Sequence, residues 1–341
     1  MSFDDIQLIK GPQIATLLEG RETDIIDVIG EAYRLHAKGL SNLPHSAFLQ
    51  FPDDEVNRII ALPAYLGGSN PVAGIKWISS FPGNHLQSFA RASAVIILNS
   101  MITGRPKTIL EGSIISAKRT AASGALAARL VLPSHKGSTV GVIGCGVINL
   151  ETVRFLSADR PSIQEVMLYD LNEQQQRSFA QKLSVLPSST RISFAASAAD
   201  IFECCDLVTV ATTEIKPHLN TAIRIRPGSM ILHISLRDFE PDVILSCDNI
   251  VDDIEHVCRH RTSVQLAAEL QGSRNFIKAT IGSLLNAENS FHWQPEKSVI
   301  FSPFGLGILD LALATFVGDL AEHKGVGLDV AGFFPPASVS G

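Results

Sequence analysis

Six consecutive residues, Gly144-Cys145-Gly146-Val147-Ile148-Asn149, have the types needed to cradle a phosphate. The apolar run Val140-Gly141-Val142-Ile143 before them reads as a buried strand, and a helix-like stretch through Phe155 follows. In that setting the first glycine permits a tight turn and the second lets backbone approach a pyrophosphate. The helix N-terminus then offers free N–H groups and a positive dipole. Asn149 stands where the dinucleotide fingerprint has Gly or Ala, so its side chain must either widen the helix–strand packing or cap locally. A second apolar run, Val166-Met167-Leu168-Tyr169, ends in Asp170, 24 residues beyond Gly146. An acid there can bind both ribose hydroxyls of an adenosine and would repel a 2′-phosphate, so NAD is expected rather than NADP. Gly144, Cys145, Gly146, Val147, Ile148 and Asp170 are therefore the candidate cofactor residues.

Four cations stand out by their surroundings. Lys76 interrupts the apolar strand Gly74-Ile75-Lys76-Trp77-Ile78, and Arg119 lies in a helix of small residues running from Ser113 to Gly124. Small residues allow close approach of a ligand, and an arginine fork can clamp a carboxylate. Arg58 and Arg91 each begin an apolar stretch and could do the same. Each of the four also fits an ordinary wet surface, and periodicity does not choose. His256, Cys258 and His260, with Asp252 and Asp253 nearby, have a metal-like spacing, but without a second cysteine cluster no metal is expected. His233, at a strand end, reads as a structural histidine. The five cysteines are odd in number and form no C-x-x-C, which fits a reducing cytoplasm. Adjacent Cys204 and Cys205 read as small buried residues.

The elements that must carry these groups fall into two textures. With 341 residues, 45% hydrophobic and 18% charged, the chain can build two packed domains. A net charge of −6 without basic runs gives no nucleic-acid footprint. No apolar run reaches the roughly 18 residues of a membrane span, and the acidic start is unlike a signal peptide. Early on, a helix over 22–39 and strands at Arg58–Leu62, Val72–Ile78 and Ala94–Leu98, separated by Gly/Pro/Asn turns, suggest a mainly antiparallel α+β domain. A helix over 116–132 follows. From Thr139, apolar runs alternate with helical stretches: Thr139–Gly144, Glu165–Asp170, Leu207–Thr212, Ser229–Ser235 and Asn249–Asp252. This is the pattern of a parallel, Rossmann-type sheet. The expected fold is α/β: a substrate-binding and dimerisation domain over 1–125, completed by 305–341, and an NAD-binding domain over 126–304. A last helix near 304–330, interrupted only by Asp310 in its apolar run, is expected to pack on the first domain.

Taken in order, Gly74-Ile75-Lys76-Trp77, Gly104-Arg105-Pro106, Glu111-Gly112-Ser113 through Arg119-Thr120-Ala121-Ala122-Ser123, the Gly144–Asn149 loop and His233-Ile234-Ser235-Leu236-Arg237-Asp238 resemble the ornithine cyclodeaminase/mu-crystallin family along nearly the whole chain. Arg58-Ile59-Ile60-Ala61-Leu62-Pro63, Arg91-Ala92-Ser93 and Val251-Asp252-Asp253 are similar to one branch of it. That branch oxidises the secondary amine of N-((2S)-2-amino-2-carboxyethyl)-L-glutamate with NAD and hydrolyses the imine. Its product, L-2,3-diaminopropionate, is a building block of siderophores and peptide natural products. The resemblance implies an enzyme with an amino-acid substrate and a homodimeric assembly. It implies Lys76 near the reacting carbon, Asp238 near the substrate nitrogen, Arg119 on the α-carboxylate and Arg58 on a second one. Thr120, Thr212 and Gly305 would line the cofactor. Cyclodeaminases carry a glutamate in the strand before the lysine strand, where this chain has Ile60-Ala61-Leu62-Pro63, which argues against a lyase that releases ammonia. Other family activities, an alanine-type dehydrogenase or a mu-crystallin-like binding protein, are the alternatives.

Overall fold

The computed structural model describes residues 4–289 and 291–335. The chain divides into two compact units, Met1–Arg119 with Leu306–Gly341, and Thr120–Gly305.

In the first unit the strands are β1 (Ile6–Ile9), β2 (Ser41–Asn42), β3 (Ala47–Phe51), β4 (Asp54–Leu66), β5 (Val72–Ser80), β6 (Ala92–Asn99) and β7 (Pro106–Glu111). Together with the final strand, Leu328–Val330, they form one sheet in the order Leu328–Val330, β1, β7, β6, β5, β4, β2, with β3 also paired to β4. The β1–β7 pair is parallel and the other pairs are antiparallel. Strand alternation assigns the faces: Val72, Gly74, Lys76, Ile78 and Ser80 point one way from β5, Ala73, Ile75, Trp77 and Ser79 the other. Register places Leu62, Lys76 and Ile96 in one row across the sheet, and Arg58 beside Ser80 in another.

Helices α1 (Gly11–Leu17) and α2 (Glu22–Ala37) belong to this unit, as does the C-terminal helix Gly307–Lys324. The C-terminal helix packs against α2 and across β4, β5 and β6. Gly74 makes this approach possible. A methyl group there would lie 2.2 Å from the Ile97 carbonyl oxygen and 3.2 Å from Leu311. The expected helix to residue 330 stops early. Gly325 adopts a left-handed φ of 63° as the cap, and Leu328–Val330 pairs antiparallel with β1 instead.

Helix α3 (Ser113–Val131) runs through the division between Arg119 and Thr120. The second unit then carries β8 (Thr139–Ile143), β9 (Glu165–Tyr169), β10 (Arg191–Phe194), β11 (Leu207–Val210), β12 (Met230–His233), β13 (Asp248–Val251), β14 (Ile277–Thr280) and β15 (Val299–Ser302). Their order is β10-β9-β8-β11-β12-β15-β13-β14, with every pair parallel. Helix α4 (Val147–Asp159) links β8 to β9, and α5 (Glu173–Lys182) links β9 to β10. Strand order reverses at β8, which creates the switch point where ligands bind in open parallel sheets. The reading of both adjacent cysteines as buried holds for Cys205 alone; Cys204 is exposed. Cys205 points at Gly141 of β8, where an added methyl would come within 3.0 Å of its sulfur, and its neighbour on the helix end faces outward.

Candidate active site

Three elements of the first unit bring a carboxylate and two cations together. Lys76 Nζ on β5 donates to Asp310 Oδ2 at 2.7 Å and to Ser116 Oγ at 3.2 Å. Arg119 Nε on α3 donates to Asp310 Oδ1 at 3.1 Å. Asp310, on the C-terminal helix, is fully buried, while Lys76 and Arg119 are 2% and 8% exposed. One carboxylate thus serves two cations. Burial pushes the Lys76 pKa down to about 8, with Arg119 adding to the effect and Asp310 opposing it. Burial acts to raise the Asp310 pKa, but Arg119 and Lys76 outweigh it and hold the carboxyl below its ordinary range. The sequence showed Asp310 only as a break in an apolar run. The signal that could have singled it out is that an acid amid the apolar first turns of a helix, Gly-Ile-Leu-Asp-Leu-Ala-Leu-Ala, must be paired to be buried.

Arg58 and Arg91 meet at another point of the same sheet face. Arg58 pairs in register with Ser80, and Arg91 Nε approaches Ser80 Oγ at 3.4 Å. Partial desolvation, and then the Arg58 charge, hold the Arg91 pKa below its usual value. Lys76 and Ser80 are four residues apart on β5, so the two cation groups are separated by about 13 Å along the strand.

In the second unit, Gly144 follows β8 with φ +89°, and a methyl there would lie 2.4 Å from the Ala211 carbonyl oxygen. Only glycine fits this turn. Gly146 is the N-cap of α4 without a side-chain cap, so the first amides of the helix are left for an external acceptor, and Val147 and Ile148 open that first turn. Asp170 Oδ2 accepts from the Cys145 amide at 2.7 Å, and Oδ1 accepts from the Asn172 amide at 2.8 Å. Tyr169, Asp170, Leu171, Arg177 and Phe194 line a cavity of about 550 Å³ beside it. Burial and the Asp170 charge push the Cys145 thiol up to about 12, so it is no nucleophile.

Asp238 sits deep in the second unit, fully buried. Its carboxylate accepts short hydrogen bonds from Thr212 Oγ1 and Ser235 Oγ, and meets His233 Nε2 at 3.1 Å. His233 Nδ1 in turn lies 3.1 Å from Ser302 Oγ. Burial would raise the Asp238 pKa, but His233, Ser235 and Thr212 together bring it down to about 2. A carboxylate so satisfied is a weak proton acceptor at neutral pH and a firm anchor for Thr212. Gly305 has φ +91°, and its amide donates to buried Asp252 Oδ2 at 2.7 Å while the Phe304 amide takes Oδ1 at 2.9 Å. Thr120 follows Arg119 on α3. In the segment with metal-like spacing, His256 Nδ1 bonds Asp253 at 2.8 Å and His260 stacks on Phe304. The structure therefore assembles Lys76 with Arg119, Arg58 with Arg91, Asp170 with the glycine loop, and Asp238 with Thr212.

A fully parallel sheet with a glycine turn at its switch point, accompanied by a mixed sheet that carries a buried lysine–aspartate–arginine cluster, defines a dinucleotide-binding type of α/β protein in two units. The sequence matches the profile of the ornithine cyclodeaminase/mu-crystallin family over residues 14–325, and the chain belongs to that family. It is 28% identical over 309 residues to N-((2S)-2-amino-2-carboxyethyl)-L-glutamate dehydrogenase of Staphylococcus aureus, covering 89% of this chain and 91% of that one. It is 28% identical over 326 residues to alanine dehydrogenase of Archaeoglobus fulgidus, covering 91% and 94%. Among solved structures, an archaeal alanine dehydrogenase dimer with bound NAD superposes with a TM-score of 0.86 at 26% identity, over 97% of this chain and 100% of that one. Thermococcus litoralis Delta(1)-pyrroline-2-carboxylate reductase, with NADH and L-proline, shares the fold at a TM-score of 0.88 and 22% identity, over 95% and 100%.

Proposed function

We propose that the protein is an NAD-dependent dehydrogenase that cleaves N-((2S)-2-amino-2-carboxyethyl)-L-glutamate to L-2,3-diaminopropionate and 2-oxoglutarate, a supply step for siderophores or related peptides. The observation that carries this reading is the placing of two cation groups on one sheet face. Lys76 and Arg119 surround Asp310, and Arg58 and Arg91 converge near Ser80, about 13 Å along β5. An alanine-sized substrate needs one carboxylate clamp, whereas a substrate with three carboxylates uses both groups. The Staphylococcus aureus relative supports the same choice.

The glycine turn, the uncapped α4 N-terminus and Asp170 fit a dinucleotide without a 2′-phosphate. NAD held there supplies the hydride acceptor for the Cα–H of the glutamate moiety. Arg119 and Arg58 orient the carboxylates. Lys76, in its neutral form, takes the proton of the substrate ammonium and passes it to solvent; neutral again, it takes a proton from the water that opens the imine and returns it to the nitrogen as diaminopropionate leaves. Asp238 keeps Thr212 in place and leaves the proton work to Lys76. The chain works as a homodimer through the sheet face opposite the C-terminal helix, where Tyr65, Trp77 and Val95 are 37%, 46% and 39% exposed beside Ile75 and Ile97.

Purified protein with NAD and the conjugate should generate reduced nicotinamide, diaminopropionate and 2-oxoglutarate in equal amounts. Turnover of alanine with no turnover of the conjugate would replace this reading with the alanine-type one, which the Archaeoglobus fulgidus relative favours.

A further inference from the structure

Three successive peptide planes of the glycine turn are pinned by neighbouring groups. In the first, the Ile143 carbonyl accepts from Asn149 Nδ2 at 2.9 Å, and the Gly144 amide donates to the Tyr169 carbonyl at 3.0 Å. In the second, the Gly144 carbonyl accepts from Asn149 Nδ2 at 2.7 Å, and the Cys145 amide donates to Asp170 Oδ2 at 2.7 Å. In the third, the Cys145 carbonyl accepts from Gln175 Nε2 at 2.7 Å. The peptide unit is planar and trans, so its carbonyl and amide point in opposite directions. The Gly144 and Cys145 amides are committed to Tyr169 and Asp170, and holding the Cys145 carbonyl on Gln175 turns the Gly146 amide the other way, away from Gln175.

Asn149 is fully buried, and its own orientation is fixed from behind, because Thr209 Oγ1 donates to Asn149 Oδ1 at 2.7 Å. Its amide nitrogen must then face the two carbonyls. Asn149 lies in the first turn of α4 yet does not cap it. A hydrogen-bond donor at this position serves the turn before the helix and leaves the helix amides uncommitted.

We infer that Asn149, braced by Thr209, and Gln175 are positioning residues that preset the turn for the dinucleotide's pyrophosphate. They replace the tight glycine packing of the usual third fingerprint position with a hydrogen-bonded clamp. The benefit is preorganisation: the peptide planes need not be ordered when the anion arrives. The inference rests on the proposed use of NAD at this turn.

The test is NADH binding, followed by nicotinamide fluorescence, with adenosine as a competitor that occupies the ribose and base region but carries no phosphate. Asn149→Ala and Gln175→Met should each weaken NADH about five- to tenfold, with adenosine affinity held within about twofold. Gln175 is exposed, so its variant keeps the fold even if the Asn149 variant does not. Unchanged NADH binding in the folded variants, or adenosine weakening in step with NADH, overturns the clamp. Absence of NADH binding by the unaltered protein overturns the cofactor reading and the clamp with it.

Discussion

Lys76 is the residue on which the proposed chemistry turns, because a lysine can accept a proton only when neutral. Its pKa is drawn down to about 8, mainly by burial. The value of kcat/KM should therefore rise as pH increases toward about 8 and level off above it. Asp310 favours the charged ammonium, so Asp310→Asn should move that inflection to lower pH; a profile that stays in place would detach Lys76 from the limb. The same substitution removes the buried charge that Lys76 and Arg119 both bind and should cost about 3–5 kcal/mol in urea unfolding. Lys76→Met should reduce kcat by about 10²–10⁴. Asp238 is also shifted down, but for a carboxylate that favours the charged form. Its folded-state pKa of about 2 lies below the ordinary carboxylate range, so its stabilisation is present above that range and is lost as pH falls through about 2. Asp238→Asn should therefore destabilise the protein by about 2 kcal/mol at neutral pH, and the gap to the parent should close in acid. If that variant keeps its stability but loses the pH limb, Asp238 rather than Lys76 is the base.

Among elements, the C-terminal helix has the largest task, since it delivers Asp310 to a strand and a helix that lie far away in sequence. Its contact with β5 depends on the missing side chain at Gly74. Gly74→Ala would force β5 from β6 or lift the helix from the sheet. Either response should cost at least about 2 kcal/mol in thermal or urea unfolding and reduce turnover by disturbing the Lys76–Asp310 contact. A variant of parental stability would show that the helix has room to yield. The reading of a parallel sheet after Thr139 came from alternating apolar runs and proved right in class. That pattern does not foresee β10, β14 or β15: β10 (Arg-Ile-Ser-Phe) and β14 (Ile-Lys-Ala-Thr) mix polar with apolar residues and give no continuous apolar run, and β15, Val299–Ser302, is passed over as well. The strand at Leu328–Val330 was absorbed into the preceding helix because only the backbone turn at Gly325 separates them.

For the whole molecule, substrate length is the property most open to test. Arg58→Ala and Arg91→Ala should each raise KM for the conjugate by about tenfold and leave any residual turnover of short amino acids unchanged. Equal losses on both substrates would mean that these arginines support the fold rather than the distal carboxylate. The apolar sheet face should be covered by a second copy of the chain. Trp77→Arg should then yield a monomer by light scattering, whereas a parent protein that is itself monomeric would remove the dimer.

The amino-acid sequence by itself determined the glycine turn and the acid after the next strand, written in local order as a strand, a turn and a helix within some thirty residues, and it determined the α/β class and the family through runs and motifs that follow one another along the chain. It could also nominate Lys76, Arg58, Arg91 and Arg119, but it could not distinguish them from surface charges. For Lys76 and Arg119, both buried, that distinction came from tertiary structure. Asp310 stands 234 residues from Lys76 and 191 from Arg119. A charge pair is set by distance in space and by the loss of water around it, and neither is encoded in the spacing of residues along the chain.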